Sequence, residues 1–227
     1  MSLEDQILFE DNHLLIINKR AGQIVQGDKT GDISLVDEVE SYIRKKYAKP
    51  GNVFVGLVHR IDRPTSGIVI FAKTGKALTR LTEMLKKREI KKTYWAVVKN
   101  ADIPPTQRLI HYLKKNEKNN KATVFRQPTQ GAKEAILTYH LIKKSDNYML
   151  LEIDLETGRH HQIRAQLSAV HCPVKGDLKY GFDRSNTDGS IHLLARKVEF
   201  IHPVKKERIL VEAPVPPNDN LWKSFEE

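Results

Sequence analysis

Asp62 stands between Arg60 and Arg63 in the segment HRIDRPTSG, an order of residue types that could carry chemistry. A simple turn needs the proline and glycine of this segment but neither the carboxylate nor its cationic flanks. Apolar runs at residues 55–58 and 68–72 predict buried strands on both sides. Reactive side chains are commonly held on loops that such strands anchor. The alternative interpretation is a surface loop with a local ion pair.

A second candidate site lies in the segment LETGRHHQIRAQL, where a Thr-Gly turn leads from a strand into a helix predicted over residues 160–170. Exposed amides at a helix N-terminus favour anions, and Arg159 adds a bidentate phosphate donor. Arg164 lies four residues after His160 and so shares its helix face. On a helix, His160 and His161 would point about 100° apart, and no glutamate completes an HExxH pattern. We therefore predict no metal site.

Tyr94 is the third candidate, within KKTYWAVV. In a strand, Tyr94 and Trp95 must face opposite sides, so one of them faces the core and the other faces away. A tyrosine on an open face could stack on a base or exchange a proton.

Composition describes an ordinary globular protein of 227 residues, 40% hydrophobic and 29% charged. No apolar run approaches the roughly 20 residues that span a bilayer, and the acidic N-terminus does not resemble a signal peptide. Cys172 is the only cysteine, which excludes intramolecular disulfides and CxxC metal sites. We expect a cytoplasmic protein with no membrane partner.

The charge balance favours a polyanionic partner. Lys and Arg number 38 against 28 Asp and Glu, a net charge of +10. A basic surface attracts nucleic acid, although solubility alone is the alternative. Nine of the 38 basic residues form two clusters: Lys86, Lys87, Arg88, Lys91 and Lys92; and Lys114, Lys115, Lys118 and Lys121.

The secondary-structure elements that must position these residues are predicted to be mainly β-hairpins. We predict strands at 13–18, near Ile24–Val25, and at 93–98, with helices at 35–47 after a Ser34 cap and around 78–85. Hairpins are predicted at 108–113 with 122–126, at 135–142 with 148–155, and at 191–200 with 208–211. This pattern predicts an α+β fold, a single domain with a mainly antiparallel sheet and a few flanking helices.

Four ordered segments resemble the RluA-type pseudouridine synthases. VHRIDRPTSGIVIFAKT is similar to the HRLDxxTSG signature, and KKTYWAVV to KxYxAxV. TGRHHQIR and PVKGDLKYG are similar to the TGRxHQIR…PIxGDxxYG block. IINKRAG resembles the KPAG segment, with Arg20 in place of the proline. Ile61 replaces the usual leucine, a change that conserves volume.

The resemblance implies an enzyme that isomerises uridine in RNA to pseudouridine. It implies the pseudouridine synthase fold, a mixed sheet with an active-site cleft across it. Asp62 matches the essential aspartate, and Arg164 the arginine that pairs with it. Tyr94 matches a tyrosine that contacts the base and accepts its C5 proton. Arg60 matches a residue that fills the space of a flipped nucleotide, and Ile163 an apolar residue that packs on the uracil.

The expected substrate is a ribosomal or transfer RNA stem-loop, with Arg159 and His161 as further RNA contacts. No cofactor or metal is expected, because carboxylate, ribose and base carry the family's chemistry. Residues 1–227 are expected to form one catalytic domain, without a separate N-terminal RNA-binding domain, that acts as a monomer. Two alternatives remain: a non-catalytic RNA-binding or ribosome-assembly protein, and a metal-dependent nuclease that uses Asp62, His160 and His161.

Overall fold

The computed structural model describes residues 2–27, 30–48 and 50–226 of the chain. These residues form eleven strands and four α-helices, with two short 3-10 helices at Glu4–Gln6 and Leu178–Tyr180. The chain divides into two compact units. The first contains Met1–Ile90 and Ala195–Pro216, and the second contains Lys91–Leu194 and Pro217–Glu227.

Antiparallel strand pairs form the frame of the first unit. Its strands are β1 (Ile7–Glu10), β2 (Leu14–Lys19), β3 (Gly56–Leu57), β4 (Ser66–Ala72), most of β10 (Leu193–Ile201) and β11 (Arg208–Glu212). Strand β2 pairs with β1 and β4, β3 pairs with β4, and β10 pairs with β11. Every residue of β4 is buried, as the apolar run predicts.

Two helices of this unit begin after capping residues, of which the sequence predicted Ser34. Helix α1 (Leu35–Lys46) has a capping box in which Ser34 and Asp37 bond each other's backbone amides. Helix α2 (Gly75–Lys86) begins after Thr74, whose hydroxyl accepts from the amide of Ala77.

The strand predicted near Ile24 and Val25 is wrong. Their carbonyls accept from the amides of Leu35 and Val36, at 2.8 and 3.2 Å. The first amides of a helix have no partner within the helix, so these carbonyls satisfy two of them. Both side chains are nevertheless buried, which is why the sequence pattern resembled a strand.

The second unit is built on an antiparallel sheet. Strands β5 (Lys91–Lys99), β6 (Thr106–Asn116), β7 (Lys121–Phe125), β8 (Lys133–Lys144) and β9 (Tyr148–Leu155) occur in the order β5-β9-β8-β6-β7. The predicted hairpins β6–β7 and β8–β9 are confirmed. Helices α3 (Gln162–Ala169) and α4 (Asn220–Glu226) complete the unit.

Helix α3 begins two residues later than predicted. His161 precedes it with a φ of +51° in the left-handed region, so His160 and His161 are not helical. The prediction that Arg164 shares a helix face with His160 is therefore wrong.

The predicted α+β class with a mainly antiparallel sheet is confirmed. Within the described residues, no helix has the length and apolar character needed to cross a membrane.

Candidate active site

The residues selected from the sequence lie on both units, and each group is described within its own unit. Asp62 and Arg60 belong to the first unit, in the loop between β3 and β4. The others belong to the second unit: Tyr94, Arg159, His161, Ile163 and Arg164.

Asp62 opens a tight turn that leads directly into β4. Its carbonyl accepts from the amide of Thr65 at 3.0 Å, with Arg63 and Pro64 at the centre of the turn. The Asp62 side chain is half-buried, whereas Arg60 is exposed. The turn therefore places the carboxylate shortly before a fully buried strand, as the apolar run at 68–72 predicts. The prediction of a buried strand at 55–58 is wrong, because that run forms only the short, partly exposed β3.

Gly67 allows this turn to approach strand β10. Its φ is +109°, and a Cβ at this position would lie 2.4 Å from the carbonyl oxygen of Ala195. No L side chain fits so close to a backbone atom. The glycine of the TSG sequence is therefore required by both conformation and space.

Lys19 is a buried cation that the sequence interpretation did not select. It is 0% exposed, and its ammonium donates to the carbonyls of Arg20 (2.8 Å), Gln23 (2.9 Å) and Arg63 (3.1 Å). An ammonium has three N–H groups, so all are used. The carbonyl of Arg63 also accepts from the amide of Gly22 at 2.8 Å. Lys19 thus connects the turn after β2 to the turn that carries Asp62.

The charge on Lys19 is coupled to Asp62. Burial lowers the pKa of the Lys19 ammonium to about 7, and the negative charge of Asp62 opposes that shift. The two charges are therefore close enough to interact. The first unit therefore supplies its own cation for the carboxylate.

In the second unit, Arg164 forms a buried ion pair with Asp177. Its Nε and Nη2 donate to the two carboxylate oxygens at 2.6 and 2.9 Å, and both side chains are almost completely buried. A planar, bidentate pair fixes the orientation of the guanidinium. The guanidinium also lies over the ring of Tyr180, 5.1 Å from the centroid. Arg164 is therefore held rigidly.

His161 is oriented by Tyr180. The tyrosine hydroxyl accepts from the amide of Ala122 at 2.7 Å and lies 2.9 Å from Nδ1 of His161. The rings of His160 and His161 are stacked, with centroids 3.8 Å apart. The expectation that these rings point about 100° apart is wrong, because the left-handed backbone of His161 removes them from the helix. The prediction of no metal site loses that support.

The predicted anion site before α3 is partly occupied by protein groups. The side-chain oxygen of Gln162 accepts from the amide of Arg159 at 2.9 Å and from the hydroxyl of Thr157 at 2.8 Å. Arg159 itself is exposed, and its Nε donates to the carbonyl of Glu134 at 2.8 Å. The remaining guanidinium edge of Arg159, rather than its amide, is what can receive a phosphate.

Tyr94 and Ile163 are buried side chains, 7% and 4% exposed. Tyr94 lies on β5 opposite Ile153. It shares a strand face with Ala96, which is fully buried, whereas Trp95 on the other face is partly exposed. Of the two aromatic residues, Trp95 is therefore the more exposed, although Thr93 and Val97 on its face are buried.

The sequence interpretation missed Lys19, Asp177 and Tyr180 as site residues. All three lie in segments quoted for the family resemblance: Lys19 in IINKRAG, and the other two in PVKGDLKYG. Their place in those segments was the available signal. Their contacts are not predictable from type, because lysine and aspartate are rarely buried.

Comparison with known proteins agrees with these motifs. The RNA pseudouridylate synthase family model matches residues 13–169. Ribosomal large subunit pseudouridine synthase C of Buchnera aphidicola subsp. Baizongia pistaciae is 33% identical over 220 residues, which cover 93% of this chain and 67% of that protein. The uncharacterized RNA pseudouridine synthase YhcT of Bacillus subtilis is also 33% identical, over 98% of this chain and 72% of its own length.

The fold agrees as well. Human RNA pseudouridylate synthase domain containing 4 superposes with a TM-score of 0.79 at 22% identity, over 95% of this chain and 90% of that one. The chain spans about two thirds of the length of the curated relatives it matches. The chain belongs to the RNA pseudouridylate synthase family and, within it, to the RluA type that its motifs predict.

Proposed function

We propose that this chain converts specific uridines in structured ribosomal RNA to pseudouridine, with Asp62 as the essential residue. The observation that carries the proposal is the Asp62 turn. A half-buried carboxylate stands in the turn before a buried strand, and a fully buried ammonium donates to the carbonyl of the adjacent residue, Arg63. A surface ion pair needs no buried cation, so the arrangement favours a reacting carboxylate.

The reaction conserves every atom of the nucleotide. The N1–C1′ bond breaks, the uracil rotates, and C5 bonds to C1′ while C5 loses a proton and N1 gains one. Asp62 acts either as the nucleophile at the sugar or as the base that removes the 2′ proton; both roles require its ionised form. The charge of Lys19 lies within electrostatic reach of this carboxylate.

The remaining roles are those that the resemblance implies. Arg164 acts on the carboxylate of Asp62, Tyr94 contacts the base and accepts the C5 proton, and Ile163 packs on the uracil. Asp177 fixes the orientation of the Arg164 guanidinium. This fixed orientation supports a role that depends on precise geometry. Arg60 takes the place of the flipped nucleotide, and its exposure is consistent with entry into RNA. Arg159 and His161 are further RNA contacts.

The name of the Buchnera relative, ribosomal large subunit pseudouridine synthase C, supports ribosomal RNA over transfer RNA. The net charge of +10 is consistent with either. We further propose that the protein acts in the cytoplasm as a monomer with one catalytic domain. It is proposed to need no metal or cofactor.

The test is a conversion assay on unmodified large-subunit ribosomal RNA transcribed in vitro. Pseudouridine is mapped at single-nucleotide resolution after incubation with the wild-type protein, with and without excess EDTA. We expect stoichiometric conversion at one or a few sites, unchanged RNA length, and no effect of EDTA. Binding without conversion would support the non-catalytic alternative. Strand cleavage that EDTA stops and a divalent metal restores would support the nuclease.

A further inference from the structure

Arg20 replaces the proline of the family's KPAG segment, a change of charge and shape, and its surroundings suggest a function for it. It follows β2 in the turn that contacts the Asp62 turn, where Lys19 and Gly22 both donate to the carbonyl of Arg63. Arg20 is therefore placed beside the backbone that carries Asp62.

The backbone of Arg20 is fixed on both sides. Its amide donates to the side-chain oxygen of Gln23 at 2.9 Å, and its carbonyl accepts from Lys19 at 2.8 Å. Gln23 is held in turn by Glu38, to which its amide nitrogen donates at 3.2 Å. The turn from which the Arg20 side chain starts is therefore held by contacts on both sides.

The guanidinium of Arg20 carries an unused donor. Its Nη2 is screened from solvent, yet it meets no hydrogen-bond acceptor in the part of the chain that the structure describes. By contrast, Arg63 and Arg44 are paired with the carboxylates of Asp32 and Glu40. A guanidinium keeps its proton at any working pH, so a screened N–H without an acceptor destabilises the unbound protein. An incoming acceptor would relieve that cost.

An anionic oxygen is the acceptor that fits this position. Arg20 lies close in the fold to Arg63, and Arg60 stands two residues before Asp62 with an exposed side chain. Arg63 already has the carboxylate of Asp32 as its partner, which leaves Arg20 and the exposed Arg60 as cations for a polyanion. A guanidinium fork matches a phosphate geometrically. A proline at this position would lack both the fork and the amide that bonds Gln23.

We propose that Arg20 forms a phosphate-binding subsite for the RNA strand beside the Asp62 turn. The subsite takes a phosphodiester of the substrate and fixes the register of the strand relative to the carboxylate, without entering the chemistry. The inference rests on the proposed RNA substrate.

The test compares Arg20→Gln with wild type on a ribosomal RNA fragment that contains a converted uridine. Its matched control is Arg44→Gln, which removes an exposed, ion-paired arginine of α1 in the same unit. We expect Arg20→Gln to weaken binding by about tenfold at 0.1 M KCl and to reduce the slope of log Kd against log[KCl] by about 0.7, the value for one phosphate on a single strand. The turnover rate at saturating RNA should change less than threefold, and Arg44→Gln should change neither quantity more than twofold.

A synthetic strand locates the phosphate. Each phosphate within three nucleotides of the target uridine is replaced in turn by an uncharged methylphosphonate. One replacement should weaken binding to wild type but add no loss to Arg20→Gln. Additive losses at every position, an unchanged salt slope, or an equal effect in Arg44→Gln would each overturn the proposal. Should Arg20→Gln not fold, Arg20→Lys replaces it: the charge stays but the fork is lost, and a partial affinity loss at one phosphate is expected.

The proposed reaction and the proposed subsite fail separately. If wild type converts no uridine while Arg20→Gln still lowers the salt slope of RNA binding, the proposed reaction is wrong and the subsite stands. If wild type converts uridine and Arg20→Gln binds as wild type does, only the subsite is wrong.

Discussion

Lys19 is buried to an extent that is unusual for a lysine. Lysine is normally a solvated surface residue, yet here the ammonium is fully buried on three carbonyls next to the Asp62 turn. Burial lowers its pKa to about 7 although the charge of Asp62 opposes the shift. Between that value and the ordinary pKa of lysine, the unfolded chain binds the proton and the folded chain does not. This group therefore makes the free energy of unfolding rise with pH above 7 and is least favourable below it.

The same titration predicts a pH effect on activity. Deprotonation leaves Lys19 with two donors for three carbonyls and removes the positive charge near Asp62. We expect kcat/KM of the wild type to fall as pH rises through about 7. In Lys19→Gln the rate should be lower and the decline above pH 7 absent. If the variant keeps the same alkaline decline, another group is responsible.

Arg164→Met should lower the single-turnover rate by orders of magnitude and RNA affinity much less, because the role proposed for Arg164 is in the reaction and not in binding the RNA backbone. The variant also leaves Asp177 buried without its cation. Breaking such a pair costs about 3–5 kcal/mol in the free energy of unfolding. The control is Arg164→Met with Asp177→Leu, which removes both charges. It should recover stability but not rate; recovery of the rate as well would make Arg164 a structural residue.

At the scale of elements, strands and helices with strong periodicity were predictable, and the boundaries set by single contacts were not. The hairpins β6–β7 and β8–β9 and the Ser34 cap follow from alternation and capping chemistry. The start of α3 does not, because it depends on the left-handed His161. In the candidate site, the motifs selected Asp62 and Arg164, but no pattern could reveal that Lys19 is buried.

Gly67→Ala tests the close approach of β4 and β10. The added Cβ would lie 2.4 Å from the Ala195 carbonyl oxygen at a φ of +109°. We expect a loss of about 3 kcal/mol or more in the free energy of unfolding, measured by urea titration. Gly75→Ala is the control, because a Cβ added there, at the start of α2, would meet nothing within 4 Å. Similar losses in both variants would show that steric contact at Gly67 is not the cause.

For the molecule as a whole, an excess of ten positive charges speeds the encounter with RNA but does not select a uridine. Selection must come from residues near the reacting carboxylate and from the shape of the RNA. A uridine within a stem-loop reaches Asp62 only after leaving the stack, at a cost of a few kcal/mol. Arg60, exposed and two residues from Asp62, is suited to take the vacated place.

The effect of Arg60→Ala on kcat/KM should therefore depend on the structure of the substrate. We expect a large loss of kcat/KM on a stem-loop and a clearly smaller one on an unstructured oligonucleotide with the same sequence context. The reason is that a strand which already exposes its uridine gains little from an inserted guanidinium. Equal losses on both substrates would assign Arg60 to phosphate binding or to support of the Asp62 turn.

The central claim is that the carboxylate of Asp62 carries the reaction. Asp62→Asn conserves shape and removes the charge that either mechanism needs. The measurement is the single-turnover rate of pseudouridine formation at saturating RNA, with circular dichroism and RNA affinity determined on the same preparation. We predict a folded protein that binds RNA with nearly wild-type affinity and forms no detectable pseudouridine. A rate above a few per cent of the wild-type value would contradict the assignment of Asp62.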